Sequence, residues 1–225
     1  LSATVERPDG LSYVFKNHIG EVAFQVKRQI DKGVVVHQFH CHFAGTKLKF
    51  TYRKRINYVG MISDIVKSSQ RNAFVISLIA CIIKHNSERQ LLVLSERRKH
   101  LEELYELVEK QFGEDCPELG FYVGGMKEKD LTHTRDKSQI IFATYQMAEE
   151  GFDCPKLDTL VMVTPKKRIE QTVGRILRKT VESRTFRPMI FDICDDLSNF
   201  KSICCKRREY YQKMKYDFHI HRIFD

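Results

Sequence analysis

Five short apolar runs recur from residue 91 onward, and their spacing constrains the fold more than any other feature. They are LLVLS (91–95), LGFYVGG (119–125), QIIFATY (139–145), TLVMVT (159–164) and PMIFDI (188–193). Several are continuously apolar rather than alternating. Such strands are buried on both faces, which requires a parallel sheet covered by helices. The intervening stretches supply those helices. NAFVISLIACIIKHN (72–86) reads as a buried helix. In HLEELYELVEKQF (100–112), Leu101, Leu104, Tyr105, Val108 and Phe112 share a face, while Glu102, Glu103, Glu106 and Lys110 fall mostly toward water. SNFKSICCKRREYYQKMKYDF (198–218) reads as a basic helix and HIHRIF (219–224) as a closing strand. The expected fold is a three-layer α/β/α domain with a mostly parallel sheet.

Residues 1–70 differ. EVAFQVKRQIDKGVVVHQFHCHF (21–43) contains strand-like pieces, and KLKFTYRKRINY (47–58) is a basic connector spotted with aromatics. The reading divides the chain into 1–70, a tail of something upstream plus a linker, and 71–225, a compact domain. In VHQFHCHF (36–43) an extended backbone puts His40 and His42 on one face and His37 and Cys41 on the other. That assures no complete ligand set, and no metal is assigned.

A chain of 225 residues can bury one full core. Its longest apolar stretch, AFVISLIACII (73–83), is too short to span a bilayer, and the first residues lack a basic-then-apolar leader. A cytoplasmic protein without a membrane partner is expected. Seven cysteines, an odd number with no C-x-x-C, favour free thiols in a reducing compartment, with Cys204 and Cys205 as small apolar filler. The net charge of +9 suits a polyanionic partner, but it equally suits a solvated basic surface.

Ligands gather beyond the carboxyl ends of parallel strands. In IIFATYQMAEEGFDCP (140–155) a buried strand stops at Ala143-Thr144 and a turn follows at 150–153. There Thr144 and Gly151 would let backbone N–H groups approach a phosphate, and Asp153 would accept from a sugar hydroxyl. A strand, a helical turn and a Gly-Asp loop account for the same residues. In RIEQTVGRILRK (168–179) a helix would place Gln171, Arg175 and Arg178 on one face and Ile169, Val173, Ile176 and Leu177 on the other. Gly174 costs such a helix about 1 kcal/mol relative to Ala. Two guanidiniums aimed at one place suit a phosphate. A solvated basic face is the alternative.

QTVGRILR (171–178) matches the Q-x-x-G-R-x-x-R motif VI of superfamily 2 helicases. ATYQMAEEGFDCP (143–155) resembles their motif V, LLVLSERRKHLEEL (91–104) their looser motif IV, and LSAT (1–4) their motif III. ERPDG (6–10) resembles the R-x-D-G that follows motif III in XPB-like and UvsW-like DNA translocases. One departure is visible: relatives place Pro after Ser-Ala-Thr, whereas here Val5 follows and the proline is Pro8. Within the family the chain most resembles helicases of large cytoplasmic DNA viruses, of the transcript-release type found in poxviruses and asfarviruses.

The resemblance implies a second RecA-like domain working with ATP and Mg2+. By it Arg178 is the arginine finger, Arg175 lies on the terminal phosphates, and Gln171 positions the γ-phosphate or attacking water. Asp153 contacts ribose and Gly151 brings backbone near the site. Thr144 holds a nucleic-acid phosphate, and Gly124 and Gly125 let the tracked strand pass. The sequence contains neither G-x-x-x-x-G-K-[ST] nor D-E-x-[DH]. The Mg2+ ligands are therefore expected in a first RecA-like domain, the chain's intramolecular partner. This chain is expected to be a piece cut within that first half, inactive alone. The R-x-D-G favours DNA and leaves RNA open. A viral origin would place the protein in host cytoplasm and the virion. The rival from another class is a basic nucleic-acid-binding module without motor activity.

Overall fold

The structure, a computed structural model, describes residues 10–20, 23–24, 31, 33–43 and 47–224. The LSAT stretch and most of ERPDG lie outside them. The chain divides into two units, residues 1–30 and 31–225. In the first, helix α1 spans Ser12–Ile19.

The second unit runs β1 (Val35–His42), α2 (Tyr58–Lys67), α3 (Ser69–His85), β2 (Leu91–Ser95), α4 (Arg98–Phe112), β3 (Leu119–Tyr122), α5 (Glu128–Lys137), β4 (Ile140–Thr144), α6 (Tyr145–Glu149), β5 (Thr159–Met162), α7 (Glu170–Gly174), β6 (Met189–Asp195), α8 (Ser198–Lys213) and β7 (Asp217–Phe224). The strands form one seven-stranded sheet in the order β3-β4-β2-β5-β6-β1-β7. Every pairing is parallel.

Alternation along the central strands builds two cores. Leu92, Leu94, Ile141, Ala143, Leu160, Met162 and Ile190 pack on one face with Phe152, Val173 and Tyr211. Leu91, Val93, Ile140, Phe142, Val161 and Ile193 pack on the other with Val75 and Ile79 of α3 and Leu101, Leu104 and Val108 of α4. This is the period of two expected of strands covered on both sides. Caps set two helix starts: Asn57 accepts from the Gly60 N–H at 2.9 Å before α2, and Ser68 accepts from the Arg71 N–H at 3.4 Å before α3.

Two expectations change. Residues 1–70 were expected to be an upstream tail plus a linker, yet β1 lies between β6 and β7, and Met61, Ile62 and Ile65 of α2 pack with Phe200. The compact unit therefore begins at Asp31 rather than at 71. The free-thiol expectation also fails at one pair, because Cys194 on β6 is disulfide-bonded to Cys204 on α8. Cys41, Cys81, Cys116, Cys154 and Cys205 are free.

Two ion pairs are buried where the helices meet the sheet. Arg71 of α3 donates to both carboxylate oxygens of Asp195, at 2.6 and 3.0 Å, and to the Val163 carbonyl at 2.6 Å. Arg207 of α8 meets Asp192 at 2.8 Å, and Asp192 also accepts from Tyr211 and Gln38. No described helix is long and apolar enough to cross a membrane.

Candidate functional site

The carboxyl ends of β3, β4, β2 and β5 lie side by side, since Tyr122 pairs with Ala143, and Leu94 with both Ala143 and Met162. Just past β4, Thr144 is the N-cap of α6, its Oγ1 accepting from the Met147 N–H at 3.4 Å. Past β3, Gly124 and Gly125 form an exposed turn, where Arg98 donates to the Gly124 carbonyl at 3.4 Å. Gly125 sits at φ +84, a conformation that favours glycine, while the space beside Gly124 is open.

After β2, Ser95, His100 and Asn72 form a buried chain. The His100 ring nitrogens lie 3.0 Å from Ser95 Oγ and 3.1 Å from Asn72 Oδ1. Burial, then the nearby Arg71 cation, push the His100 pKa down to about 3, so the ring is neutral. Thr164, past β5, ties these ends together. Its hydroxyl accepts from the Glu96 N–H at 2.9 Å, and its carbonyl accepts from the buried Tyr145 hydroxyl at 2.8 Å.

From α6 the chain turns through Gly151, at φ +78, into Phe152 and Asp153. Arg175 and Arg178 both reach the Phe152 carbonyl, at 3.0 and 3.4 Å. Arg175 also donates to the Glu149 carbonyl, and Arg178 pairs with Asp153 at 2.8 Å. Burial, then the adjacent Arg178 cation, lower the Arg175 pKa from its ordinary value. Arg175 keeps one buried nitrogen, Nε, without a partner.

The structure thus brings together Gly151, Asp153, Arg175 and Arg178. It does not gather all the residues expected at one place. The α-helix ends at Gly174 and a 3-10 turn carries Arg175–Leu177, so the expected continuous helical face is broken. Gln171 is exposed and joins none of these contacts. Arg175 is turned inward onto backbone carbonyls, and the Asp153 carboxylate is occupied by Arg178. Glu149 was missed: its carboxylate accepts from Thr172 at 2.9 Å and pairs with Lys166 at 3.2 Å, joining α6 to the segment of α7. Its sequence signal, one acid in an AEEG stretch, is too common to single out.

What this arrangement can do is hold a cation pair over the glycine turn that follows β4 and α6. Arg178 is the more available member, since its side chain is 37% exposed and its carboxylate partner 57%. A surface pair of this kind is weak enough to exchange for another anion.

Residues 70–180 match the model of the helicase conserved C-terminal domain. The chain is 34% identical over 224 residues to L396 of Acanthamoeba polyphaga mimivirus, named as an ATP-dependent RNA helicase; the match covers 96% of this chain and 42% of the relative. It is 27% identical over 225 residues to helicase 161L of Invertebrate iridescent virus 6, covering 95% of this chain and 48% of that protein. The chain therefore spans about half the length of these curated relatives. A match at 29% identity to the transcript termination protein A18 of Myxoma virus (strain Lausanne) covers 54% of this chain and 26% of that one. Among solved structures, T4 UvsW shares the fold with a TM-score of 0.64 at 18% identity, covering 85% of this chain and 42% of that one. S. cerevisiae Dbp5 bound to RNA and ADP BeF3 does so with a TM-score of 0.57 at 15% identity, covering 99% and 50%. With its parallel α/β/α sheet and the QTVGRILR segment folded against the EEGFD turn, this chain carries the C-terminal RecA-like domain of a superfamily 2 helicase.

Proposed function

We propose that this domain supplies the arginine-bearing half of an ATP site in a motor that moves on nucleic acid. The observation that carries the reading is the convergence of Arg175 and Arg178 on the Phe152 carbonyl beside Gly151 and Asp153. Arg175 fixes the turn by holding two backbone carbonyls. Arg178 is then the donor that leaves Asp153 for the terminal phosphates when the first domain presents them. A guanidinium there stabilises the charge of a loose phosphoryl-transfer transition state, worth about 10³–10⁵ in rate. Mg2+ would be held by the first domain, because the given sequence contains neither G-x-x-x-x-G-K-[ST] nor D-E-x-[DH].

Thr144 and the Gly124–Gly125 turn lie at adjacent strand ends and suit a phosphate backbone, contacts that position a strand without reading its sequence. DNA is the favoured track because of the Arg7-Asp9-Gly10 pattern. RNA is the second reading, supported by the name of the mimivirus relative. A role in viral transcription is supported by likeness to the A18 protein.

The test is phosphate release from Mg-ATP by the whole protein with single-stranded DNA, duplex DNA, RNA or no nucleic acid. Hydrolysis is expected to rise with DNA and to be absent from the 225-residue chain alone. Stimulation by RNA only would select the second reading. No stimulation by any of them would overturn the motor.

A further inference from the structure

The basic stretch 47–57, read in the sequence as a connector, is a small hairpin. Phe50 and Ile56 form an antiparallel bridge. The Thr51 N–H donates to the Arg55 carbonyl at 2.7 Å, the Lys54 N–H to the Thr51 carbonyl at 2.9 Å, and the Asn57 N–H to the Lys49 carbonyl at 2.8 Å. The Thr51 hydroxyl accepts from the Arg55 N–H at 3.3 Å. Lys54, at φ +55, closes the turn.

What the hairpin presents is unusual for a surface turn. Tyr52 stands wholly in solvent at its tip, 103% exposed, with Phe50 at 57% and Leu48 at 41%. Interleaved with them are Lys47, Lys49, Arg53, Lys54 and Arg55, and the stretch contains no carboxylate. Lys49 pairs with Asp64 at 2.6 Å, whereas no ion pair among the described residues takes the other four. A hairpin this short is marginal in water by itself, so its order comes from the backbone bonds and from α2, not from its rings.

We propose that this hairpin is a second contact for single-stranded nucleic acid, with Tyr52 stacking on an unpaired base and Arg53, Lys54 and Arg55 meeting phosphates. The proposal rests on the nucleic-acid reading above and adds a site that reading does not contain. Single-strand sites combine a cationic track with exposed aromatic platforms, because every base has a π-face and every nucleotide a phosphate. Protein-binding surfaces instead deplete lysine at their centres. A duplex hides its base faces, so a lone tyrosine at a hairpin tip suits an unpaired strand.

The experiment titrates fluorescein-labelled oligo(dT) with this chain at several salt concentrations. Tyr52→Ala is expected to weaken binding roughly tenfold, within the range of one base–aromatic stack, with the salt slope unchanged. Tyr52→Phe retains wild-type affinity. The triple variant Arg53→Gln/Lys54→Gln/Arg55→Gln is expected to reduce the salt slope by about 2, near 0.7 per lost phosphate contact. Photocrosslinking through 5-iododeoxyuridine is expected to mark Tyr52. All substitutions lie at the exposed tip, so unchanged thermal unfolding checks that each variant is folded. If the wild type binds and either Tyr52→Ala or the triple variant is indistinguishable from it, the hairpin proposal fails and the nucleic-acid reading stands. If the wild type binds no oligonucleotide at low salt, both fail.

Discussion

Replacing Arg178 by Ala in the whole protein is expected to lower nucleic-acid-stimulated ATP hydrolysis by about three orders of magnitude. The structure separates this effect from folding. The side chain is half-exposed and its partner Asp153 more so, and losing such a surface pair changes stability by about 0–1 kcal/mol. Arg175 keeps its hold on the Glu149 and Phe152 carbonyls, so the turn stays in place. ATP binding should weaken far less than hydrolysis, because the cation matters most as charge develops in the transition state. Steady-state phosphate release and nucleotide titration of the same preparation check both halves. A well-folded variant with near-normal hydrolysis would reduce the segment to a basic surface.

Arg71→Met is expected to destabilise this domain by about 3–5 kcal/mol, a large share of the 5–15 kcal/mol typical of a folded domain. Arg71 is fully buried and Asp195 is 3% exposed, and the guanidinium bonds both carboxylate oxygens while also satisfying the Val163 carbonyl. Methionine fills much of the volume but leaves a carboxylate buried without a counter-charge. The double variant Arg71→Met/Asp195→Leu should recover most of the loss, since replacing both partners removes the uncompensated charge. Urea unfolding midpoints of the two variants give the comparison. Equal destabilisation by the single and double changes would mean that shape, not charge, decides at this site.

The central sheet was legible because its strands are apolar throughout. LLVLS became β2 residue for residue, and the runs at 139–145 and 159–164 became β4 and β5. Strand β1 was legible only as a strand-like piece outside the compact domain, although it sits inside the sheet. It carries Gln38, fully buried, whose amide donates to Asp192 at 3.1 Å. A polar residue in an internal strand looks like a surface residue until its partner, over 150 positions away, is known. Helix α5 was missed for another reason: EKDLTHTRDK buries only Leu131 and Thr134, too few positions to show a period. Helix α8 was expected to be basic, and it is, but Arg207 and Cys204 face inward. Asp192 and Asp195 of FDICDD are buried on β6, where Arg207 and Arg71 pair with them. Which arginines answer them is decided by packing that no local pattern records.

The motif VI segment shows the same limit. Periodicity placed Gln171, Arg175 and Arg178 on one helical face, which assumes that the helix continues through Gly174. It tightens there instead, and Arg175 turns toward the carbonyls of a loop some 25 residues earlier. Residue identities were readable, whereas their directions depended on backbone geometry at one glycine.

Arg178 is expected to exchange Asp153 for the transferring phosphoryl group. A structure of the whole protein with nucleic acid, Mg2+, ADP and a fluoride mimic of that group tests it most directly. The predicted result is an Arg178 guanidinium parted from Asp153 and within hydrogen-bond distance of the mimic. An Arg178 still paired with Asp153 while the mimic is bound would mean that it is not the cation that meets the phosphoryl group.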